Sequence, residues 1–511
     1  RLHRPVADPL PALLPHPGSG LAGGDTVQLG RVDLPELQRV TELCWSPGGH
    51  GHLGLVGAEA GASDSAAVLA VDQLLAGAVE SHVYILDAAG VFSSAAAAPR
   101  VGAVAGLHEV RRAARVLRRV AEEATSRLST PAAGLRPGLV LVLSGWGAWV
   151  SAFRSGPLAW AEDLVHDIVR DGSRVGITVI VSGERELVTA RFFAGLPNRI
   201  FFPAGSTDEG RLAWPRLPVF KPVPGRVAVF GSFVPAPQST GHVAQLFTPT
   251  AAGGRHPTSG AVTTRPFRVD ALPGQVSVNE VLALCGRPGP GQRPPPPAAW
   301  PAAVAGAAHG PSRAAPLLVG VGGDEIQPHR IPLPTGGVLA VLGGPGAGKS
   351  TLLAALPGMN PACAWLAPAR ATDPGRYWSG LHASALAGTL DRAAIVLADD
   401  ADLLAPEANS ALAALNTLGW RVILTAGYGP AFGQRVDLAA SARGQGRAVL
   451  IRPRGPMEGE PFGVRFEPEH SPPPGRAVVI SDGRATPVQL AVPCLGARDG
   501  PLQGGRGSGC P

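Results

Sequence analysis

The chain has 511 residues, of which 45% are apolar and 16% charged, with a formal net charge of +6. That composition supports two or three cored domains and excludes general disorder. The charge is small for the length and spread along it, so contact with nucleic acid is permitted but not argued for.

Residues 1–27 read as an N-terminal extended segment, and 28–250 as a first domain. Within it, short apolar runs at 52–56, 83–86, 139–143 and 176–181 alternate with helical stretches such as 110–127. That alternation is the pattern of a parallel sheet covered by helices. A Gly-containing turn, Gly57-Ala58-Glu59-Ala60-Gly61-Ala62-Ser63-Asp64, follows the first run. The next stretch, 66–83, is the best candidate for a membrane span, but Asp72 and Glu80 interrupt it. The expectation is therefore a chain with neither span nor signal peptide. Along 110–127, Arg111, Arg112, Arg115, Arg118 and Arg119 recur at helical spacing. A solvated face is the simpler reading of that stripe, and a DNA-binding face the alternative.

Residues 251–315 read as a linker, Pro-rich at 286–301, where proline density enforces extended chain. A second domain follows at 316–492, and the Gly/Pro-rich 493–511 reads as a disordered tail. Five cysteines without a C-x-x-C pair point to a reducing, cytosolic setting and away from zinc.

The second domain holds the most informative motif. Lys349 is one of only two lysines, in a chain where arginine carries nearly all other positive charge. It closes Gly343-Gly344-Pro345-Gly346-Ala347-Gly348-Lys349-Ser350, the G-x-x-x-x-G-K-S spacing of a phosphate-binding loop. Such glycines let backbone N–H groups surround the β-phosphate, the lysine reaches the β/γ oxygens, and the serine hydroxyl ligates Mg²⁺. A compact ammonium suits that pocket better than a planar guanidinium. An apolar strand at 338–342 precedes the loop, and a helix from Ser350, with Thr351 in its first turn, follows and points its dipole at bound phosphate. ATP with Mg²⁺ is the expected cofactor.

About fifty residues on, the apolar run 394–398 ends in Asp399-Asp400. Hydrolysis of a bound triphosphate needs acids there: Asp399 on the magnesium side, Asp400 as the candidate base. Thr425, at the tip of the next strand, is the candidate γ-phosphate sensor; an ordinary strand-end threonine is the alternative.

The two halves look like copies. Pro224-Gly225-Arg226 and Gln245-Leu246 recur as Pro474-Gly475-Arg476 and Gln489-Leu490, about 250 residues later. Aligned without gaps on 344–351, the turn 57–64 puts Ala62 in place of Lys349 and Glu59 in the phosphate cradle. Leu143-Ser144-Gly145 replaces Ala398-Asp399-Asp400, so both acids are gone. The first copy is expected to be silent toward Mg-ATP.

With these motifs in place the chain resembles FtsK/SpoIIIE-type ATPases, and especially the tandem ATPase modules of the EccC component of type VII secretion. Leu29-Gly30-Arg31-Val32-Asp33-Leu34-Pro35-Glu36-Leu37-Gln38, Gly51-His52-Leu53, Tyr84-Ile85-Leu86-Asp87-Ala88-Ala89-Gly90 and Pro197-Asn198-Arg199-Ile200 also fit that pattern, which covers roughly 28–492. The resemblance implies an α/β fold of two tandem RecA-like P-loop NTPase domains, with mainly parallel sheets covered by helices. It implies a ring or string of copies, a cytoplasmic location at the inner face of the membrane, and an upstream or partner membrane anchor. The translocated substrate would be double-stranded DNA or a secreted protein; a nucleotide-binding scaffold with little hydrolysis is the alternative. It further implies an arginine acting in trans on γ-phosphate charge, for which Arg199 and Arg211 are the candidates. Many relatives use glutamate as the base. Aspartate is shorter by a methylene, which makes slow turnover an expectation.

Overall fold

A computed structural model describes residues 8–16, 25–57, 63–130, 136–221, 223–236, 241–248, 262–286, 316–369 and 372–493. Most of the first copy's loop (58–62), the Pro-rich run beyond Gly286 and the tail from 494 lie outside the described residues. The chain divides into two compact units, Arg1–Asp270 and Ala271–Pro511.

The strands of the first unit are Val27–Leu34 (β1), Arg39–Trp45 (β2), Leu53–Val56 (β3), Ser81–Asp87 (β4) and Val101–Gly106 (β5), then Gly138–Ser144 (β6), Ile177–Gly183 (β7), Asn198–Phe201 (β8), Arg226–Phe230 (β9) and His242–Leu246 (β10). They form one sheet in the order β2-β1-β10-β9-β8-β3-β7-β6-β4-β5. From β8 to β5 the pairings are parallel, and from β8 to β2 they are antiparallel.

The second unit repeats the plan with Val276–Ser277 (β11), Leu317–Gly322 (β12), Gln327–Ile331 (β13), Val338–Gly343 (β14) and Trp365–Leu366 (β15), then Ile395–Ala398 (β16), Arg421–Ala426 (β17), Ala448–Ile451 (β18), Arg476–Ser481 (β19) and Arg484–Val492 (β20). Their order is β13-β12-β20-β19-β18-β14-β17-β16-β15, and β11 lies on β20. From β13 to β15 this repeats the first sheet from β2 to β4; β5 has no counterpart, and β11 is an addition. The expected α/β class holds.

The central strands read as unbroken apolar runs because both their faces are covered. In β14, Val338, Ala340 and Leu342 enter one apolar layer, while Leu339 and Val341 enter the other. In β6, Leu139, Leu141 and Leu143 alternate in the same way with Val140 and Val142. Helix Lys349–Met359 closes one face of the second sheet by burying Leu352, Leu353, Ala355, Leu356 and Met359. Each leucine buried there is worth about 2 kcal/mol.

The repeated sequence pairs are one structural device used twice. Gly225 and Gly475 turn at φ +74 and +78, where glycine carries no steric cost. Behind them lie Gln245 and Gln489, both fully buried. Their side-chain amides donate to Pro224 O at 2.9 Å and Pro474 O at 2.8 Å. A buried carboxamide has to find such a partner, and here it locks the turn to the strand that follows.

Part of the expected linker is built into the units. In the first, Phe267 stacks on Tyr84 at 4.2 Å and accepts a 2.9 Å hydrogen bond from its hydroxyl. In the second, β11 pairs in parallel with β20 and leads into helix Val278–Cys285, started by a Ser277/Glu280 capping box.

Candidate functional site

In the second unit, β14 sits between β17 and β18, parallel to both. Its chain leaves the sheet at Gly343, turns through Gly346 at φ +69 and Gly348 at φ +107, and enters helix Lys349–Met359. Side chains rarely tolerate those two conformations, so the loop needs its glycines. A Cβ on Gly343 would come within 3.3 Å of Lys349 Cγ, so that glycine clears space for the lysine. The helix begins at Lys349, one residue earlier than expected.

A cavity of ≈ 550 Å³ opens at the C-terminal end of the strands, where open parallel sheets bind ligands. One wall runs from Pro345 to Thr351 with Gly343; facing it are Asp400, Asp402, Leu403 and Gly427. Lys349 Nζ donates to Gly343 O at 3.3 Å and pairs with Asp400 Oδ1 at 3.3 Å. Its side chain is only 12% exposed.

The acids and Thr425 are tied to one another. Thr425 is fully buried and lies outside the cavity wall. Its hydroxyl donates to Asp399 Oδ1 at 2.6 Å and accepts the Asp400 N–H at 2.7 Å. With its proton directed at Asp399, the hydroxyl holds the acid pair. Asp399, drawn toward Thr425, is likewise outside the wall, as is Gly344. Asp400 reaches the cavity because its backbone is left-handed, at φ 43, a conformation that costs a non-glycine residue about 1 kcal/mol.

Asp402, Leu403 and Gly427 were not anticipated. Asp402 is 9% exposed, and its Oδ2 accepts the Gly427 N–H at 3.0 Å. The available signal was the Asp400-x-Asp402 spacing, which the tight turn Ala401–Leu403 converts into two carboxylates on one wall.

Arg199 and Arg211 are engaged within the first unit. Arg199 donates to Leu196 O and Phe193 O at 2.9 and 3.1 Å and lies over the Phe193 ring, and its burial lowers the guanidinium pKa. Arg211 donates to Pro203 O and pairs with Asp208 at 3.7 Å.

At the first unit's counterpart of this site, the described residues bond to one another. Gly145, at φ +71, donates its N–H to Ser182 Oγ at 3.0 Å, as Asp400 does to Thr425. Ser182 pairs with Leu55 as Thr425 pairs with Val341. That register shifts the gap-free alignment by one residue. Ser63, not Ala62, therefore takes the lysine's place, and Asp64 takes that of Ser350. The shift arises because strand register fixes the frame, which glycine spacing alone leaves open.

Asp64 Oδ1 accepts hydrogen bonds from Ser144 Oγ at 2.9 Å and Ser182 Oγ at 3.1 Å. Desolvation raises the Asp64 pKa, outweighing these two bonds, and the Asp87 charge adds to the rise. A carboxyl whose folded pKa is raised favours folding when protonated and opposes it once ionised. Asp64→Asn is therefore expected to raise Tm at pH 7. The gain should shrink as pH falls through the folded pKa and vanish below the ordinary aspartate value. Thermal melts of both proteins across that range check it.

The basic stripe is also occupied by protein. Arg112 donates to Val269 O at 2.8 Å and Arg115 to Asp270 O at 3.1 Å. Arg119 lies over Phe267, and Arg118 over Trp160. Arg112, Arg115 and Arg119 fasten residues 267–270 to helix Val110–Ser129.

No family model and no curated protein matches the chain. Among solved structures, EssC (ATPases 2 and 3) from Geobacillus thermodenitrificans is similar at TM-score 0.66 and 15% identity, over 95% of this chain and all of that one. The cytoplasmic domain of the Thermomonospora curvata type VII secretion ATPase EccC is similar at TM-score 0.55 and 16% identity; the match covers 95% of this chain and 62% of that one. Thermomonospora curvata EccC (ATPases 2 and 3), in complex with a signal sequence peptide, gives 0.54 and 16%, covering 95% and 97%. The fold is thus α/β and matches the tandem RecA-like ATPase domains of EssC and EccC. Among the described residues no helix is long and apolar enough to cross a membrane.

Proposed function

We propose that the second unit binds and hydrolyses Mg-ATP, and that the chain is an ATPase portion of a protein-export machine. The observation that carries this reading is Lys349 in the wall of a glycine-turned cavity, facing Asp400 and Asp402. Lys349 would neutralise β/γ charge, and the amides of the loop and helix start would hold the phosphates. The donor set fits Mg²⁺: the Ser350 hydroxyl and the Asp400 carboxylate offer hard oxygens in one cavity, with Asp399 held behind them by Thr425. Once bound, the ion would offset charge developing on the phosphoryl oxygens. The first unit, with Asp64 in the serine position and no lysine, would not take nucleotide.

Export is favoured over DNA translocation because the basic helix is engaged by residues 267–270, and because one similar EccC structure holds a signal sequence peptide. The same reading includes a ring or string of copies and an attachment to the membrane from upstream or through a partner. The Lys349–Asp400 ion pair supports a second reading, a nucleotide-binding scaffold with little turnover, because ATP must break that pair to bind.

Phosphate release by the chain, measured with duplex DNA across a salt series and with a signal-sequence peptide, tests these readings. Export predicts indifference to DNA and a response to peptide. Stimulation by DNA that fades with salt would identify a DNA motor instead. ATP binding without phosphate release would leave the scaffold.

A further inference from the structure

In the sheet order β18-β14-β17-β16, Asp400 and Asp402 follow β16 and Gly427 follows β17, so all three lie on one flank of β14. The other flank belongs to β18. Its last residue, Ile451, pairs with Gly343, and a Cβ on that glycine would stand 3.4 Å from Ile451 Cβ. The tip of β18 therefore abuts the start of the phosphate-binding loop. The next residue, Arg452, has a left-handed backbone at φ 49. That conformation is unfavourable twice over, because Arg452 carries a Cβ and because the proline that follows it, Pro453, favours extended chain before it. It is held from two sides: the Arg452 N–H donates to Arg476 O at 3.0 Å, and the Tyr428 hydroxyl donates to Ile451 O at 3.0 Å. Strain maintained by its surroundings in this way gathers at ligand sites. The Arg452 side chain is exposed, and its guanidinium makes no hydrogen bond or ion pair among the described residues.

The first unit supplies the contrast. Val56 pairs with Phe201 as Leu342 pairs with Leu450, in the frame that matches Ser182 to Thr425. Phe201 and Leu450 in turn pair with Ala228 and Val478, which sets Arg226 against Arg476 and confirms the frame independently. Pro203-Ala204-Gly205 then stands where the second unit has Arg452-Pro453-Arg454. The unit that lacks the lysine lacks these two cations as well.

We propose that Arg452 binds the α-phosphate of the nucleotide. The proposal rests on the ATP reading above. A triphosphate with its γ end at the acids directs its α-phosphate away from them, and β18 is the strand on that flank. Lys349 is the one lysine in the cavity wall, and it is shared with Asp400. Much of the triphosphate charge is therefore left for another cation. A guanidinium meets two oxygens of one phosphate at once, which suits a group reaching the loop from its side. The left-handed turn at Arg452 ends β18 beside Gly343, so the cation is delivered where the loop begins.

The test uses the full chain, with calorimetric titration of ATP, ADP and inorganic tripolyphosphate, and phosphate release at saturating ATP measured separately. Arg452→Gln is expected to weaken all three ligands about tenfold, the usual worth of one charge-assisted hydrogen bond. Its kcat should stay within about twofold of the parent's, because the α-phosphate does not react. Arg452→Gly removes the same cation and relieves the strained backbone. It should lose the same affinity yet melt no earlier than the parent, a combination that a merely structural role would not produce. Arg452→Lys keeps a charge and should lose less affinity than Arg452→Gln. Arg484→Gln removes an equal charge at the opposite end of the sheet, where β20 begins, and should bind as the parent does. If Arg452→Gly melts early, the comparison of the lysine and glutamine variants decides. Parental affinity in Arg452→Gln, equal losses in the lysine and glutamine variants, or an equal loss in Arg484→Gln would each overturn the proposal. So would a loss for ATP and ADP that spares tripolyphosphate, or a loss confined to kcat. All of these would leave the ATP reading standing so long as Lys349→Ala fails to bind. A parent chain that binds no ATP would remove both.

Discussion

Lys349→Ala is expected to abolish ATP binding and turnover, a loss of at least about 10²- to 10³-fold, the usual cost of removing one preorganised group that offsets developing charge. The side chain is the only lysine in the cavity wall, and Asp400 and Asp402 oppose it there. Without the ammonium, two carboxylates would confront the triphosphate, so the variant should fail at binding before it fails at chemistry. Lys349→Arg should not restore function, because a planar guanidinium fork is wider than a compact ammonium. The chain supplies its own control. Lys221, the other lysine, is exposed, and Lys221→Ala should bind and turn over ATP normally. Equilibrium titration of labelled ATP onto the three variants measures this. Normal binding by Lys349→Ala would refute the site.

Gly320→Ala should give the largest loss of stability of any single methyl addition in the second unit. Gly320 lies on β12 beside a bulge, and its Cβ would stand 2.2 Å from Gln489 O on the neighbouring strand. Backbone cannot move aside as a side-chain tip can, so β12 and β20 would have to separate, at a cost of about 2–4 kcal/mol. Gly30→Ala should do the same to the first unit, since Gly30 sits beside the equivalent bulge in β1 and its Cβ would stand 2.1 Å from Gln245 O. Urea unfolding followed by circular dichroism should lower the midpoint in both variants. Adding a Cβ at Gly90 or Gly323 meets nothing within 4 Å, but both turn at positive φ. Their alanine variants should therefore be milder, limited by backbone strain of about 1 kcal/mol. Parental midpoints for Gly30→Ala and Gly320→Ala would show that the tight glycine-on-glutamine packing is not what sets the two sheets.

Much of the architecture was legible because unbroken apolar strands and glycine turns are local properties. The run at 338–342 could only be a strand covered on both faces, and Gly343 to Ser350 could only be a tight turn into a helix. The Pro-Gly-Arg and Gln-Leu pairs announced the duplication because both recur at a consistent offset. The frame of the first copy was not legible. Glycine spacing alone allowed a shift of one residue, and strand register with Ser182 was required to place Asp64 against Ser144.

The sequence by itself determined two α/β units, a lysine-bearing loop in one, and the loss of that lysine and both acids in the other. Only the tertiary structure decided what each polar group faces. Direction depends on contacts between residues distant in the chain: Thr425 holding Asp399, Gly427 holding Asp402, and residues 267–270 engaging the arginines of helix Val110–Ser129. A motif fixes which groups are present. Packing fixes which of their atoms remain free.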